Sequence, residues 1–215
     1  MVCVAISDKN IEKCLQVLDS VEMAEIRLDM TDYNPDEIKV VFSHPTITIA
    51  TCRPDKMGKA EQLKRLAKAI ESGAKYVDIE IEADEDLRTL LISKAKKHGC
   101  KVIISYHNYD TTPGLKELYR IVDECFVLGA DIAKLATFSK SKADNARLLS
   151  LYSNEKPVIA LGMGETGKIT RIMAPLMGAE FTFAAMDEGL ATAPGQITYT
   201  NLKNILNLLG QHIKE

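Results

Sequence analysis

Short β-branched runs alternate with longer amphipathic stretches eight times along the chain, and this alternation limits the possible folds more than any other feature. The runs are 2–6 (VCVAI), 24–30 (AEIRLDM), 46–52 (TITIATC), 75–81 (KYVDIEI), 101–107 (KVIISYH), 131–136 (DIAKLA), 157–161 (PVIAL) and 180–185 (EFTFAA). Each is bounded by turn residues and is too short for a helix, so each predicts a strand. Between them the apolar spacing is helical. The stretch 59–72 puts Leu63, Leu66, Ala67 and Ile70 on one face, and 197–213 does the same with Ile197, Leu202, Ile205, Leu206 and Leu209. Strand–helix alternation implies parallel strands joined by right-handed crossovers. Eight units in 215 residues average about 27 residues each, compact but suited to a single (β/α)8 barrel (a TIM barrel) over 1–215. A doubly wound open sheet is the competing α/β arrangement. No Pro/Gly/Ser-rich linker or low-complexity stretch suggests a domain boundary.

Strands of a parallel barrel are buried on both faces and should be apolar, yet these carry charges. Side chains two apart share a face. Glu25, Arg27 and Asp29 therefore fall together on the second strand and Asp78 and Glu80 on the fourth. Ser105 and His107 end the fifth, and Ile132, Lys134 and Ala136 share a face of the sixth. Buried charge is costly unless paired. An outward polar edge or an internal ion-pair network would account for any one of these residues. Gathered near strand C-termini, the active-site end of a barrel, they predict a catalytic pocket. Lys134 sits mid-strand with no acid within two residues. Burial there would lower its pKa and leave an amine able to attack a carbonyl; a strand-edge lysine reaching to solvent is the alternative. His107, at a strand end beside the Lys134 strand, suits a general base near neutral pH.

Several function classes are disfavoured. Lys+Arg 27 against Asp+Glu 30 gives a net charge of −3, no general attraction for nucleic acid or an anionic membrane. Five scattered cysteines without a C-x-x-C pair read as reduced thiols of a cytoplasmic protein. Four histidines without ligand spacing predict no metal site. No segment has the roughly 18 apolar residues of a membrane span, and Met1–Ile6 reads as a first strand rather than a signal peptide. Gly162-Met-Gly-Glu-Thr-Gly-Lys-Ile169 imitates a phosphate-binding loop, but Ile169 stands where a magnesium-ligating Ser or Thr is needed. Its glycines and the next helix N-terminus predict instead a local anion site, with Arg171 offering a fork for a carboxylate.

Five ordered motifs then carry a resemblance over nearly the whole chain: Glu25-Ile-Arg-Leu-Asp29, Ser105-Tyr-His107, Asp131-Ile-Ala-Lys-Leu-Ala136, Gly162-Met-Gly-x-x-Gly-x-x-x-Arg171 and Ala193-Pro-Gly-Gln-Ile197. Together they resemble the type I 3-dehydroquinate dehydratases of the shikimate pathway. The resemblance implies that Lys134 forms an imine with the C3 ketone of 3-dehydroquinate and that His107 moves the C2 proton to the departing C1 hydroxyl, a syn elimination giving 3-dehydroshikimate. It further implies that Arg171 and Gln196 hold the carboxylate, that Thr192 also binds substrate, that Glu25, Arg27 and Arg53 orient hydroxyls, and that Met163 packs on the ring. It implies no cofactor or metal, and a homodimer. The stretch Asp187–Gln196 would form a lid hinged at Gly189 and Gly195, although an ordinary polar loop reads equally well.

Three departures from the family pattern stand out. Lys56-Met-Gly-Lys59 replaces an acidic E-G-G whose glutamate assists the histidine, Thr192 replaces a serine, and the chain enters the first strand without an N-terminal hairpin. With Met57 in the acidic position, Glu80 becomes the candidate carboxylate for His107, unless it pairs with Lys134 or Arg27. Another Schiff-base lyase such as a class I aldolase, or a non-catalytic barrel binding a small anion, are the remaining readings.

Overall fold

A computed structural model describes residues 1–54, 57–153 and 155–210. The strands are β1 (Val2–Ile6), β2 (Met23–Arg27), β3 (Ile47–Thr51), β4 (Tyr76–Glu80), β5 (Lys101–Asn108), β6 (Ile132–Phe138), β7 (Val158–Met163) and β8 (Thr182–Ala185). The helices are α1 (Ile11–Ser20), α2 (Pro35–Phe42), α3 (Lys59–Glu71), α4 (Glu85–His98), α5 (Leu115–Val127), α6 (Lys142–Ser150), α7 (Gly164–Leu176) and α8 (Tyr199–Leu208). The eight strands run parallel in the order β7-β6-β5-β4-β3-β2-β1-β8, a nearly closed (β/α)8 barrel rather than a doubly wound sheet. Among the described residues no ladder joins β7 to β8. Side chains hold that seam: Ile159, Leu161, Ala174, Ala179, Phe181 and Phe183 form one apolar cluster with the barrel interior.

Helix boundaries follow local chemistry. Asn34 and Glu37 form a capping box ahead of α2, with Pro35 at the first helical position. Ser141 and Asp144 form another ahead of α6, Asp84 caps α4, and Gly99 ends α4 in the left-handed conformation.

Alternation along each strand sorts side chains into a barrel interior and a layer under the helices. The lower interior is apolar, with Met23, Ile49, Tyr76, Ile103, Ile132 and Ile159 in one cluster. Two residues further up each strand come Glu25, Thr51, Asp78, Ser105, Lys134 and Leu161, all buried. The register joins these neighbours in series, Thr51 opposite Asp78 and Ser105 opposite Lys134. The change from apolar to charged within one face marks where core ends and pocket begins.

Some element ends differ from the sequence expectation. β2 stops at Arg27, so Asp29 is not on its face. Leu28 N donates to Thr51 O at 2.8 Å and Met30 N to Arg27 O at 2.8 Å, which bends the chain into a turn and folds Asp29 back onto Arg27. β8 begins at Thr182 because Glu180 is drawn to the barrel floor, where it accepts from the Tyr76 hydroxyl at 2.6 Å and Lys101 Nζ at 3.0 Å. α8 starts at Tyr199, after Thr198 bridges to Ala185, and residues 211–213 of the expected helix lie outside the described residues.

The glycine-rich stretch is not a phosphate loop. β7 runs directly into α7, and Gly164 N donates to Pro194 O at 3.1 Å, so it offers nothing to a phosphate. Gly162 and Gly167 let strand and helix touch, since a Cβ on Gly167 would lie 2.4 Å from the Gly162 carbonyl carbon. Gly167→Ala therefore overpacks backbone against backbone. A loss of about 1–3 kcal/mol or more is expected, read as a lower urea midpoint with an unchanged slope.

Candidate active site

One cavity opens at the C-terminal end of the strands. Its lining includes Lys134, His107, Glu25, Arg27, Arg53, Met163, Arg171, Thr192 and Gln196, together with Tyr109, Ala136, Leu161, Phe183 and Ala193. Glu80 stands behind this wall, against Arg53 and His107.

Lys134 sits at the centre and is 5% exposed, which removes the solvent-reaching alternative. Its Nζ lies 2.8 Å from Asp78 Oδ2 and 3.4 Å from Glu25 Oε1, and 4.3 Å above the centroid of the Phe183 ring. The lowered lysine pKa expected from burial is not what the surroundings produce. Desolvation does push downward, but the Asp78 and Glu25 carboxylates outweigh it and the net shift is upward. Local sequence hid those acids, which reach Lys134 from β2 and β4 across the barrel.

Asp78 itself is fully enclosed. Its Oδ1 accepts from Ser105 Oγ at 2.6 Å and Arg53 Nη1 at 2.9 Å. Burial would raise its pKa, but Arg53 and Lys134 hold it well below the usual carboxylate range. Glu25 shares its Oε1 with the Thr51 hydroxyl at 2.8 Å. Burial also works against its ionisation, and Lys134 again reverses the balance to a lowered pKa.

His107, the penultimate residue of β5, has its Nδ1 3.4 Å from Glu80 Oε1, close enough for charge pairing but not in hydrogen-bond geometry. Desolvation first, and Arg53 second, depress its pKa below the ordinary 6.5, with Glu80 pulling the other way. The imidazole is therefore neutral near pH 7. Of the partners open to Glu80, the structure brings Arg53 at 3.5 Å and His107, not Lys134 or Arg27. Met57, in the position the family pattern gives to an acid, turns instead to Cys52, the two sulfurs 3.3 Å apart; Lys56 lies outside the described residues.

Arg27 is gripped along one edge by Asp29, Nε to Oδ1 at 3.0 Å and Nη2 to Oδ2 at 2.7 Å, leaving Nη1 outside that pair. Arg171 differs from every other cation here. It is 2% exposed, forms no ion pair among the described residues, and its Nε has no partner. Desolvation alone pushes its pKa down to about 10. A buried guanidinium on a cavity wall with its charge uncompensated has the chemistry to pair with an anion. Beside it Gln196 Oε1 accepts from Thr192 N at 2.8 Å, and its Nε2 donates to Thr192 Oγ1 at 3.3 Å. Gly195, expected as a hinge, is an anchor: its φ is +76° and a Cβ there would lie 2.3 Å from Gly164 O. Residues 187–191 of this loop are exposed in one run, and Pro194 is exposed as well.

Sequence reasoning counted Asp78 and Ser105 among the residues marking the pocket without giving either a role, and did not reach Tyr109, Leu161 or Phe183. The signal was available by extending the alternation: 105 and 107 on β5 with 109 just past its end, and 161 and 163 on β7. Tyr109 stacks on His107 with ring centroids 6.3 Å apart and planes 16° apart.

The fold and pocket define a (β/α)8 barrel enzyme built around an enclosed amine. The family model for type I 3-dehydroquinase matches residues 2–213. The 3-dehydroquinate dehydratase of Methanococcus vannielii is 37% identical over 221 residues, covering 97% of this chain and 100% of that one. The crystal structure of the type I 3-dehydroquinate dehydratase of Clostridium difficile with covalently modified comenic acid superposes with a TM-score of 0.85 at 25% identity, covering 99% of this chain and 92% of that one. The 3-dehydroquinate dehydratase structure from Aquifex aeolicus gives 0.78 at 28% identity with 100% coverage of both. The chain belongs to the type I 3-dehydroquinase family and is a hydro-lyase, which sets aside the aldolase and the non-catalytic barrel.

The Glu80–His107 contact is open to direct measurement. NMR titration should place the His107 midpoint below 6.5. In Glu80→Gln it should fall further, because the anion favouring imidazolium is gone while Arg53 remains. An unmoved midpoint would leave Glu80 serving Arg53 alone.

Proposed function

We propose that this pocket dehydrates 3-dehydroquinate to 3-dehydroshikimate through an imine on Lys134, with His107 as the proton carrier. The observation carrying the reading is the pair of unlike cations in one cavity, a central buried amine and a buried Arg171 that lacks a counter-ion among the described residues. A substrate holding both a ketone and a carboxylate answers both.

The carboxylate would meet Arg171 and the remaining Nε2 hydrogen of Gln196, with Thr192 holding that amide in place. Arg27 Nη1, Arg53 and the second oxygen of Glu25 would orient ring hydroxyls, and Met163 would pack on the ring. The C3 ketone condenses with Lys134 and loses water. The resulting iminium draws electrons from C2, so the C2–H bond becomes acidic. His107, neutral and with Nδ1 toward Glu80, takes that proton on Nε2 and passes it to the C1 hydroxyl, which leaves as water. Glu80 steadies the imidazolium formed between those steps. Hydrolysis of the conjugated iminium releases product and restores the lysine. Closure of 187–191 would exclude bulk water during this sequence.

The same reading makes the chain a cytoplasmic homodimer acting on a free small molecule, with no metal or cofactor and no nucleic-acid or membrane partner. Five buried, unpaired cysteines suit a reducing compartment. Among the described residues no helix is long and apolar enough to cross a membrane.

Mixing the protein with 3-dehydroquinate should generate the ultraviolet absorbance of a conjugated enone carboxylate, and chelators should leave that rate unchanged. Borohydride added with substrate should attach the ligand mass to the peptide containing Lys134; Lys134→Ala should neither trap nor turn over. A label on Lys168, or none, would overturn the reading. His107→Ala should still trap but turn over about 10²–10⁴-fold more slowly, and undiminished turnover would remove His107 from the mechanism.

A further inference from the structure

The nitrogen that attacks the ketone is protonated in the resting pocket, and its proton partners are unequal. Asp78 lies 2.8 Å from Lys134 Nζ and is fixed by two other donors, Ser105 Oγ and Arg53 Nη1. Glu25 lies 3.4 Å away and shares the accepting oxygen with Thr51.

Proton bookkeeping then separates the two acids. The ammonium of Lys134 carries three N–H bonds. Condensation with a ketone forms the C=N bond, breaks the C=O bond and releases the oxygen as water. That water takes two of the three protons, and the iminium keeps one N–H and the same single positive charge. A buried N–H with that charge needs one acceptor that stays in place.

We infer that Asp78 is a further catalytic residue, its carboxylate accepting the single N–H of the Lys134 iminium and keeping that nitrogen cationic while the C2 proton leaves. This rests on the imine reading above. Glu25, longer and shared, is the acid that holds the transient proton as the free amine attacks and returns it as water departs. The Phe183 ring face 4.3 Å below the nitrogen adds to the stabilisation of positive charge. The arrangement matters because a neutral imine withdraws electrons poorly, whereas a protonated one serves as the electron sink. Ser105, with no other task in the elimination, is a positioning residue that fixes the carboxylate.

Other ionisable groups set the background for this nitrogen: the Cys3 thiol from β1, Glu25 and Arg27 from β2, Arg53 after β3, Glu80 from β4, His107 from β5 and Arg171 from α7. The acids directly beside the nitrogen are Asp78 and Glu25.

The test uses the full chain with 3-dehydroquinate and Asp78→Asn. Borohydride should still label Lys134, and imine formation at pH 7 should be as fast as in the parent or faster, since the amine loses its proton more readily. Elimination should instead fail at high pH: the basic limb of the kcat profile should move down by about 1–3 pH units, slowing turnover about tenfold per unit above the new limb. Ser105→Ala, which removes the 2.6 Å hydrogen bond, should move the limb the same way by about half a unit, and it decides the matter if Asp78→Asn does not fold. A basic limb unmoved in either folded variant would overturn the assignment. So would equal slowing of imine formation and elimination in Asp78→Asn, the mark of a merely structural carboxylate. Absence of label on Lys134 in the parent would instead defeat the imine reading, and this assignment with it.

Discussion

The interior of this barrel depends on one carboxylate. Asp78 accepts from a guanidinium beyond the end of β3, a hydroxyl on β5 and an ammonium on β6, so three segments of the sheet converge on a group with no access to water. Each of those donors would be costly to bury alone, and the carboxylate would be costly without them. Taking away one member of such a buried set typically costs about 3–5 kcal/mol, because the remainder is left uncompensated. The lower barrel needs no such arrangement, since it is filled with Met23, Ile49, Tyr76, Ile103 and Ile132. The charged layer sits on that apolar floor, and its geometry is fixed by register rather than by flexible loops.

The opposite wall follows a different rule. Arg27, Arg53 and Lys134 each have a carboxylate, and Arg171 has none among the described residues. A chain that buries a guanidinium without a partner gives up stability in the free state. An anion that fits recovers part of that loss on binding, so ligand affinity and folded-state stability are linked at this residue. The polar lining thus has two halves: one whose cations are neutralised by neighbouring carboxylates, and one around Arg171 with no carboxylate partner among the described residues.

Much of this was legible in the sequence. Period-two spacing located the strands, and charges at Glu25, Arg27, Asp78, Glu80 and Lys134 showed where a packed interior gives way to a pocket. What escaped was whatever depends on pairing across the barrel. Lys134 has no acid within two residues, and a sequence-local view assigned it the pKa shift of an isolated buried amine. Its acids are 109 and 56 residues away along the chain. Asp29 was placed on a strand because alternation continues through Leu28, and only the hydrogen bond from Leu28 N to Thr51 O reveals the turn. The glycines around Met163 read as a flexible cradle, whereas two of them permit backbone contact, a requirement identical in composition and opposite in mechanical effect.

The unladdered seam between β7 and β8 has a consequence for how this pocket deforms. Every other strand boundary is tied by backbone hydrogen bonds that resist sliding and separation, while this one is joined by Leu161, Phe181, Phe183 and their neighbours. Side-chain contacts of that kind tolerate small shear without breaking. The barrel is therefore mechanically a C-shaped spring rather than a hoop, with Met163 on one lip and Phe183 on the other. Any widening of the gap between those lips would carry the Phe183 ring away from Lys134 Nζ, which it faces at 4.3 Å, so the seam is coupled to the enclosed amine.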